Sequence, residues 1–375
     1  MIPKRISETF QLGQSIWLDN IQRQDILSGE LKRLIDEVGI RGETSNPTIF
    51  EKAISSSFDY QQEIQELRQQ GSTSQEIYDT LTIEDVRMAS GVFREIFDSS
   101  HCVDGMVSLE VSPALVNDAE GTIRDARRIY DRVGAPNVMI KIPGTKPCML
   151  AVEECLYEGI PVNITLLFSV AAYEAVAWAY IRAMERRLAE HKPVDCVPSV
   201  ASFFISRIDT HTDQVLEQRK ELATVQESAL YQSLKGRLGI ANARLAYHMF
   251  QEIFSSARFQ KLADHGAQVQ RPLWASTSTK DPTFPDVYYI DTLIGAHTVN
   301  TTPLATILAF CDHGTAANTL GEEQLTEAEK LVAQLEGMDI HLEQIVDTVL
   351  ADGIVKFSQA YEKSIEFIDK VSLPQ

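Results

Sequence analysis

The stretch Asn-Val-Met-Ile-Lys-Ile at residues 137–142 has the alternation of a buried β-strand and carries a lysine inside it. Successive side chains of a strand point to opposite faces, so Val138, Ile140 and Ile142 share one face and Lys141 lies on the other. A Pro-Gly pair follows directly and ends the strand. The stretch therefore predicts a strand with an aliphatic outer face and a chemically active inner face.

Eight strand-like runs of this kind alternate with amphipathic helical stretches along the chain. The strands are predicted at residues 15–19, 40–45, 106–111, 137–142, 161–167, 195–203, 269–275 and 296–300. Helical patterns are predicted at residues 29–38, 74–97, 119–133, 170–190, 236–255 and 303–310. Repeated strand–helix units indicate a parallel sheet. Eight units favour a closed (β/α)8 TIM barrel, and an open doubly wound sheet is the alternative.

Two helical regions are predicted in addition to these barrel units. Residues 209–256 are predicted to form a helical insertion between the sixth and seventh strands, and residues 322–375 an acidic helical extension that packs outside the barrel. No internal repeat, linker or low-complexity tract marks a domain boundary. The chain is therefore expected to form a single barrel domain with these two additions.

Composition and charge exclude several classes of protein. Of the 375 residues, 44% are hydrophobic and 23% are charged, which suits a large buried core and argues against a disordered chain. The net charge is −19, so most of the surface repels phosphate backbones and nucleic acid is not expected as a partner. An anionic ligand must then be held by a local positive site.

Residues 162–181 are nearly apolar and could be mistaken for a membrane span. They contain Asn163, Thr165 and Glu174, and Ser169 stands where an N-cap would separate a strand from a helix. A buried strand followed by a buried helix is therefore predicted, with no membrane association.

Cysteine and histidine usage argues against disulfides and metals. The five cysteines are odd in number, form no C-x-x-C pair and suit a reducing compartment. The eight histidines lack the spacing of a zinc site, so no metal or cofactor is expected. Residues 1–10 are polar and have the pattern of neither a signal peptide nor a transit peptide, so a cytoplasmic location is expected.

The predicted strands carry polar residues opposite their aliphatic ones. In a barrel this face points inward, and active sites lie at the carboxyl ends of the strands. Burying such groups without partners costs roughly 1–3 kcal/mol each, so a barrel built for stability would use aliphatic residues there. A polar layer with its hydrogen bonds satisfied internally is the alternative to a functional site. The inward set comprises Asp19, Thr44, Asn46, Ser108, Glu110, Lys141, Asn163 and Thr165.

Lys141 is the member of this set that most needs a functional explanation. A lysine in water has a pKa of about 10.4 and is protonated at pH 7. Desolvation in a barrel lumen lowers a lysine pKa, and an uncharged amine can attack a ketone to form a Schiff base. Asp19 and Glu110 would supply the proton transfers that iminium formation and carbon–carbon cleavage require. A structural ion pair between Lys141 and Glu110 is the alternative.

The stretches around these residues resemble the transaldolase family. The four matching stretches are Thr44–Ser–Asn–Pro–Thr–Ile–Phe50, Val138–Met–Ile–Lys–Ile–Pro–Gly144, Val162–Asn–Ile–Thr–Leu–Leu–Phe–Ser169 and Ser202–Phe–Phe–Ile–Ser–Arg–Ile–Asp209. The resemblance runs from about residue 16 to residue 303. Ile16–Trp–Leu–Asp–Asn20 and Leu273–Trp–Ala–Ser–Thr277 resemble the longer bacterial type.

This resemblance implies the (α/β)8 barrel of the class I aldolases and a specific reaction. A three-carbon dihydroxyacetone unit would move from a ketose phosphate to an aldose phosphate, without a cofactor, in the non-oxidative pentose phosphate pathway. Sedoheptulose 7-phosphate and glyceraldehyde 3-phosphate would exchange with erythrose 4-phosphate and fructose 6-phosphate. A homodimer is a further expectation from the family.

The resemblance also implies a role for each residue of the site. Lys141 would form the Schiff base, and Asp19 would take and return the C4-hydroxyl proton. Glu110, with Thr165 and a water, would shuttle protons for carbinolamine formation and dehydration. The substrate-binding set would be Asn46 and Asn163 for hydroxyls, Thr44 in the same pocket, Ser202 and Arg207 for the phosphate, and Phe204 shaping that pocket.

One position departs from the family pattern. The better-known branch has a second phosphate arginine two residues beyond a serine that Ser276 matches, but Ser278 stands at the arginine position here. Lys280 is a candidate to replace that charge, and a solvated loop lysine is the alternative. Ser276 fits a phosphate role because barrels often bind phosphate in the loops after strands seven and eight.

Three other functions remain open from the sequence. A class I aldolase would release free dihydroxyacetone instead of transferring it. A sugar-phosphate isomerase on the same barrel would use Glu110 as base and Lys141 as an electrostatic stabiliser. A non-catalytic barrel would only bind sugar phosphates.

Overall fold

A computed structural model describes residues 1–221 and 223–371 of the chain. Eight parallel strands form a closed barrel in chain order, so the predicted (β/α)8 TIM barrel is confirmed and the open sheet is excluded. The strands are β1 (Gln14–Asp19), β2 (Glu43–Thr44), β3 (Val107–Glu110), β4 (Val138–Pro143), β5 (Val162–Leu167), β6 (Ser199–Phe204), β7 (Arg271–Ala275) and β8 (Thr298–Thr302).

Helices of very different length connect and surround these strands. They are α1 (Lys4–Gln11), α2 (Arg23–Leu27), α3 (Glu30–Arg33), α4 (Pro47–Ser56), α5 (Gln61–Gln69), α6 (Ser74–Ser99), α7 (Ala119–Val133), α8 (Met149–Glu158), α9 (Val170–Ala189), α10 (Ser206–Lys220), α11 (Val225–Leu234), α12 (Leu238–Ser255), α13 (Ala257–Ala263), α14 (Tyr288–Asp291), α15 (Leu304–His313), α16 (Glu322–Glu336) and α17 (Leu342–Lys370). Short 3-10 segments occur at Phe58–Tyr60 and Pro113–Leu115, and a π-helical turn at Leu34–Val38 continues α3.

Each predicted strand overlaps an observed one, and the largest shifts are at β2, β6 and β8. The last strand was predicted at residues 296–300, but pairing with β1 runs over Thr298–Thr302. His297 has a φ of 58°, a left-handed conformation that cannot continue a strand, so β8 begins only after it. The prediction was therefore wrong at both ends of this strand, and it left out Thr301 and Thr302.

The predicted alternation of the strands is observed. Val138, Ile140 and Ile142 are fully buried in the layer between the strands and the surrounding helices. Met139 belongs instead to a second apolar cluster, together with Trp17 and residues from the other strands. Aliphatic side chains thus cover the outside of the barrel, and its interior holds this second apolar cluster together with the polar residues.

The apolar stretch at residues 162–181 divides as predicted into β5 and the start of α9. Ser169 is the N-cap of α9, and its side chain accepts a hydrogen bond from the backbone N–H of Ala172. Among the residues that the structure describes, no helix has the length and apolar character needed to cross a membrane.

The C-terminal extension forms two helices that pack on different parts of the barrel. Helix α16 packs on α12, but α17 contacts α4, α10 and β5, and its residue Phe357 lines a cavity together with Lys141. The amphipathic pattern of α17 predicted a helix without specifying which surface its apolar face covers. Residues 372–375 of the predicted extension, and residue 222 of the predicted insertion at 209–256, lie outside the described residues.

A disulfide joins Cys102 and Cys196, whose Cα atoms are 5.7 Å apart. The cysteine pattern argued against disulfides, and this pair corrects that expectation for Cys102 and Cys196. The two residues are 94 positions apart in sequence, and the loops that precede β3 and β6 bring them together at the amino-terminal end of the barrel. Cys148, Cys155 and Cys311 are free thiols.

Candidate active site

Lys141 points into the barrel near the carboxyl end of β4. The residue is only 5% exposed, and its Nζ donates a hydrogen bond to the carbonyl oxygen of Ser45 at 2.7 Å. The register of β3 and β4 places Glu110 beside it, and Nζ lies 2.6 Å from Glu110 Oε1. The ion pair that was considered as the alternative for Lys141 is therefore present, and its carboxylate lies within reach of the amine.

Asp19 ends β1 on the same inner face. Its Oδ1 accepts a hydrogen bond from Thr44 Oγ1 at 2.8 Å, and Thr44 Oγ1 lies 2.6 Å from Thr301 Oγ1. Burial raises the pKa of Asp19 above the usual aspartate value, against the opposing effect of Lys141. Burial raises the pKa of Glu110 in the same way, again opposed by Lys141. Both carboxyl groups therefore hold a proton more readily than an exposed one does.

Asn163 and Ser202 form a buried hydrogen-bonded pair beside the lysine. Ser202 Oγ donates to Asn163 Oδ1 at 2.6 Å, and Asn163 Nδ2 donates to Ser108 Oγ at 3.0 Å. The register of β4 and β5 pairs Asn163 with Lys141. Ser202 lines the cavity that Asp19 and Lys141 also line, which we call the central cavity. Asn163 is fully buried behind Ser202, so the hydrogen bonds fix the orientation of both side chains.

Thr165 lies where β5 departs from regular pairing. The register between β5 and β6 shifts between Ile164 and Leu167, and Leu166 adopts a left-handed φ of 60°. Such irregularities are frequent next to active sites because they redirect a side chain. Thr165 Oγ1 is buried without a hydrogen-bond partner among the described residues, and Thr165 lines a small cavity together with Glu110 and Lys141. The hydroxyl is thus free to bind a water or a substrate group at the reacting end.

Asn46 borders the cavity from the first turn of α4. It is the N-cap of that helix, and its Oδ1 accepts a hydrogen bond from the backbone N–H of Ile49 at 3.1 Å. This hydrogen bond fixes the orientation of the amide and uses its oxygen as the acceptor for the helix N-terminus. The NH₂ group of Asn46 therefore remains available as a donor. Asn46 lines the central cavity together with Asp19 and Lys141.

A cationic end of the cavity is formed by residues after β6 and β7. Arg207 is the second residue of α10, and its Cζ lies 5.1 Å from the centre of the Phe204 ring. Ser276 Oγ lies 2.9 Å from Ser206 Oγ, which joins the two loops. Burial lowers the pKa of Arg207 without removing its charge at neutral pH.

Lys280 lies at the rim of this cationic end. Lys280 is exposed, and its Nζ donates a hydrogen bond to Ser278 Oγ at 2.8 Å. The serine at the expected arginine position therefore orients the lysine. Desolvation lowers the Lys280 pKa, and the nearby positive charge of Arg207 lowers it further. Lys280 and Arg207 line the same cavity, so the structure brings both cations to one end of the site.

Several residues of the site were not found from the sequence. Ser45 contributes only its carbonyl oxygen, for which a side-chain pattern gives no signal. Thr301 could have been found from the Thr-Val-Asn-Thr-Thr run at residues 298–302, had the strand been extended to Pro303. Phe357 comes from α17, and nothing in its local sequence places it over the barrel.

Within residues 1–221 and 223–371, no group of three or more His, Cys, Asp or Glu side chains could hold a metal ion. The polar groups of the cavity are instead one lysine beside two carboxyl groups, hydroxyl and amide side chains, and two further cations. This set can do covalent amine chemistry and acid–base chemistry on a small anionic substrate.

Comparison with known proteins agrees with this arrangement. The sequence model of the family described as Transaldolase/Fructose-6-phosphate aldolase matches residues 16–368. The chain belongs to this family. The match begins within β1, covers the other seven strands completely and includes most of α17.

Full-length relatives point the same way. The chain is 44% identical over 378 residues to a protein named Transaldolase 2 from Nostoc sp., covering 100% of this chain and 99% of the relative. It is 41% identical over 373 residues to a transaldolase of Trichodesmium erythraeum, covering 99% of this chain and 98% of the relative. A transaldolase of Neisseria meningitidis is 42% identical over 358 residues, covering 96% and 97%.

These relatives indicate that the chain is an enzyme of the transferase class with transaldolase activity. A barrel that only binds sugar phosphates does not agree with relatives of this kind.

Proposed function

We propose that Lys141 carries the reaction as the Schiff-base lysine of a transaldolase. The enzyme would move a dihydroxyacetone unit from sedoheptulose 7-phosphate or fructose 6-phosphate to glyceraldehyde 3-phosphate or erythrose 4-phosphate. The observation that carries this proposal is the position of the Lys141 amine, buried inside the barrel and 2.6 Å from a carboxylate. A buried amine next to a proton acceptor can become a nucleophile without leaving the site.

Glu110 and Thr165 are the groups that move protons at the amine. Transfer of the ammonium proton to Glu110 leaves an uncharged Lys141, which attacks the C2 carbonyl of the ketose. A proton then moves from the attacking nitrogen to the carbonyl oxygen through a water, which gives the carbinolamine. Glu110 protonates the carbinolamine hydroxyl so that it departs as water and leaves the iminium. The raised pKa of Glu110 suits a group that gives back the proton it has taken. Thr165 would hold the water, since its hydroxyl has no hydrogen-bond partner among the described residues.

Asp19 is the base for carbon–carbon cleavage. It would take the proton of the C4 hydroxyl as the bond between C3 and C4 breaks, and return it when the enamine on Lys141 adds to an acceptor aldehyde. The hydrogen bond from Thr44 fixes the Asp19 carboxyl group in the cavity. Asp19 and Glu110 act on different protons, so two carboxyl groups with separate positions can divide the work.

The remaining residues would bind the substrate from both ends. Asn46, Thr44 and Asn163 would hold the hydroxyls of the three-carbon unit, with Asn163 acting through Ser202 because it lies behind the cavity wall. The phosphate would bind at the cationic end, where Arg207 offers a planar pair of donors. The residues proposed to bind or surround the phosphate there are Ser202, Phe204, Arg207, Ser276 and Lys280.

Trapping by borohydride separates the steps that these residues perform. Asp19→Asn should lose transfer of the three-carbon unit but still be inactivated by borohydride with dihydroxyacetone, because the Schiff base forms without Asp19. Glu110→Gln should slow the trapping itself. If Asp19→Asn prevented trapping, or Glu110→Gln left its rate unchanged, the division of roles would be wrong.

Product analysis separates transfer from release. With fructose 6-phosphate alone, a transferase holds the enamine and releases little dihydroxyacetone, and erythrose 4-phosphate should restore turnover. Release of dihydroxyacetone at the same rate with and without erythrose 4-phosphate would identify a lyase. Glucose 6-phosphate as the product would identify an isomerase.

Two further parts of the proposal concern the protein in the cell. We expect a homodimer, which light scattering of the purified protein at several concentrations tests. We also expect a cytoplasmic location, where the Cys102–Cys196 disulfide would be exposed to reductants. Fractionation of cells, with alkylation of free thiols before lysis, measures both the location and the state of the disulfide.

A further inference from the structure

The carboxyl-terminal helix α17 touches the arginine at the cationic end of the site. Gly353 lies in the interior of this 29-residue helix and is buried. A Cβ atom at Gly353 would lie 3.1 Å from Arg207 Nη1 and 3.2 Å from Leu166 Cδ2. A contact of this length is tighter than ordinary packing, so the absence of a side chain at position 353 lets the guanidinium rest against the helix backbone.

An interior glycine weakens a helix relative to alanine, because it loses more backbone freedom on folding. The backbone of Gly353 is helical, so no left-handed conformation requires glycine there. Helix stability would therefore favour alanine at this position. Space for the Arg207 side chain is the property that glycine provides.

Two aromatic rings complete the surroundings of the guanidinium. Arg207 Cζ lies 5.1 Å from the Phe204 ring centre and 5.7 Å from the Phe357 ring centre. Both distances are within the range of cation–π attraction. Phe357 is one turn beyond Gly353, so a single face of α17 supplies the backbone contact and one of the rings.

No carboxylate among the described residues forms an ion pair with Arg207. Among residues 1–221 and 223–371, Arg207 forms no ion pair within 4.0 Å, and its Nη1 is buried without a hydrogen-bond partner. Asp352 acts on it electrostatically, but the Asp352 carboxylate is held by Lys356 at 2.6 Å. Packing against α17 and the two rings holds the Nη1 side of the guanidinium in place, and no described residue forms an ion pair with its charge.

We propose that Gly353 and Phe357 are positioning residues that hold Arg207 for the phosphate group of the substrates. This inference rests on the proposed function and assigns α17 to its phosphate site. The helix sets the affinity for phosphorylated sugars and leaves the Schiff-base chemistry at Lys141 unchanged. Displacing the guanidinium by a few tenths of an ångström should weaken its bidentate contact with phosphate, because that contact depends on geometry.

The test compares Gly353→Ala with Gly91→Ala in the complete protein. Gly91 is an exposed interior residue of α6, and a Cβ there meets no atom within 4 Å. Both substitutions raise helix propensity, so neither should lower the thermal unfolding midpoint. Gly353→Ala alone should raise KM for fructose 6-phosphate and for erythrose 4-phosphate, by about tenfold, with kcat changed by less than about twofold.

A second pair tests the aromatic ring without relying on the glycine. Phe357→Leu keeps an apolar side chain but removes the ring, and should raise KM for both sugar phosphates severalfold. Phe357→Tyr keeps the ring face and should restore a KM close to that of the unchanged protein. Equal KM values in the two variants would show that the ring does not position Arg207.

Two readouts separate this inference from the proposed function. Borohydride trapping with unphosphorylated dihydroxyacetone should proceed at the same rate in Gly353→Ala, Gly91→Ala and the unchanged protein. Calorimetric titration with inorganic phosphate should show binding weakened by about tenfold in Gly353→Ala only, whether or not the enzyme turns over. Loss of trapping in the unchanged protein would refute the proposed function, whereas equal phosphate binding in the two glycine variants would refute the role of α17.

Discussion

At the amino-terminal end of the barrel Asp104 is buried between two arginines, whereas at the carboxyl-terminal end two carboxyl groups are buried around Lys141. Asp104 Oδ1 lies 3.0 Å from Arg271 Nη1, and its Oδ2 lies 2.8 Å from Arg41 Nε. Ser15 Oγ also donates to Oδ2 at 2.8 Å. Burial acts to raise the pKa of Asp104, but the two arginines lower it below the usual value.

At the carboxyl-terminal end, the effect of burial on the carboxyl pKa values outweighs the effect of the nearby cations. Burial raises the pKa of both Asp19 and Glu110, and the attraction of Lys141 only partly offsets it. The same type of side chain therefore has its pKa lowered at one end and raised at the other, according to the number of cations around each carboxylate. Surplus cations fix a carboxylate in its charged form, whereas a shortage leaves it able to exchange a proton.

Replacing Lys141 should give the largest effect. Lys141→Ala removes the amine that we propose forms the Schiff base, so we expect transfer to fall by at least about a thousandfold. The fold should remain, because the apolar layer between strands and helices supplies most of the stability. Steady-state assays with fructose 6-phosphate and erythrose 4-phosphate measure the loss, and circular dichroism checks the fold. Lys146→Ala, at an exposed position after the same strand, is the control. A residual rate within tenfold of the unchanged enzyme would refute this role.

The two ends can be compared directly by the same substitution. Asp104→Asn removes a negative charge from between two arginines and should destabilise the protein by roughly 3 kcal/mol, with kcat little changed in the folded protein. Asp19→Asn should lower kcat by about a hundredfold or more and leave stability unchanged or higher. Denaturant unfolding and steady-state kinetics of both variants give the two quantities.

The contrast between the two ends would be wrong if Asp104→Asn left stability unchanged or if Asp19→Asn lowered stability without lowering kcat. A stable Asp104→Asn variant would mean that the arginines at the amino-terminal end find other partners. An unstable Asp19→Asn variant with normal kcat would mean that Asp19 is structural.

The cationic end should show an effect confined to phosphorylated substrates. Arg207→Ala removes a bidentate donor, so KM for fructose 6-phosphate should rise by about tenfold to a hundredfold. Lys280→Ala should give a smaller rise, because this lysine is exposed at the rim. Trapping with unphosphorylated dihydroxyacetone should be unchanged in both. An equal loss with dihydroxyacetone would place Arg207 in the chemistry itself.

A fourth buried carboxyl group, that of Asp209, extends the comparison to a group held by uncharged donors. The backbone N–H of Gly239 and the hydroxyl of Tyr289 donate to Asp209, and burial raises the Asp209 pKa to about 7. The folded protein therefore holds this proton more tightly than the unfolded chain does. The contribution of Asp209 is largest below about pH 4 and is lost as the pH rises through about 7.

Asp209→Asn should remove this dependence. The difference in unfolding midpoint between the variant and the unchanged protein should shift in favour of the variant as the pH rises from about 4 to about 7. Thermal unfolding at a series of pH values measures it. Parallel curves would show that Asp209 does not titrate in this range. Asp213→Asn is a useful comparison, because burial raises the Asp213 pKa to about 6.

The sequence predicted the barrel and its inner face well because both depend on local periodicity. Alternation along 137–142 placed Lys141 inside, and the register of neighbouring strands brought Glu110 and Asn163 beside it. The roles of the individual site residues were predicted from the resemblance of sequence motifs close to the strand ends. The functions of these residues stay predictions until they are measured.

The features that the sequence missed depend on contacts between distant segments. Ser45 acts through its backbone carbonyl, which has no side-chain signature. The Cys102–Cys196 disulfide joins two loops 94 residues apart, and cysteine spacing does not reveal such a pair. Phe357 reaches the site because α17 crosses the mouth of the barrel, and an amphipathic pattern does not name the surface it covers.

The whole proposed reaction depends on a covalent bond between the Lys141 amine and the sugar carbonyl. Reduction with borohydride in the presence of fructose 6-phosphate, followed by digestion and mass spectrometry, detects this bond. We expect irreversible inactivation and the mass of one reduced dihydroxyacetone unit on the peptide that contains Lys141, with no label in Lys141→Ala. Label on a different lysine, or no label while the enzyme turns over fructose 6-phosphate, would refute the role of Lys141.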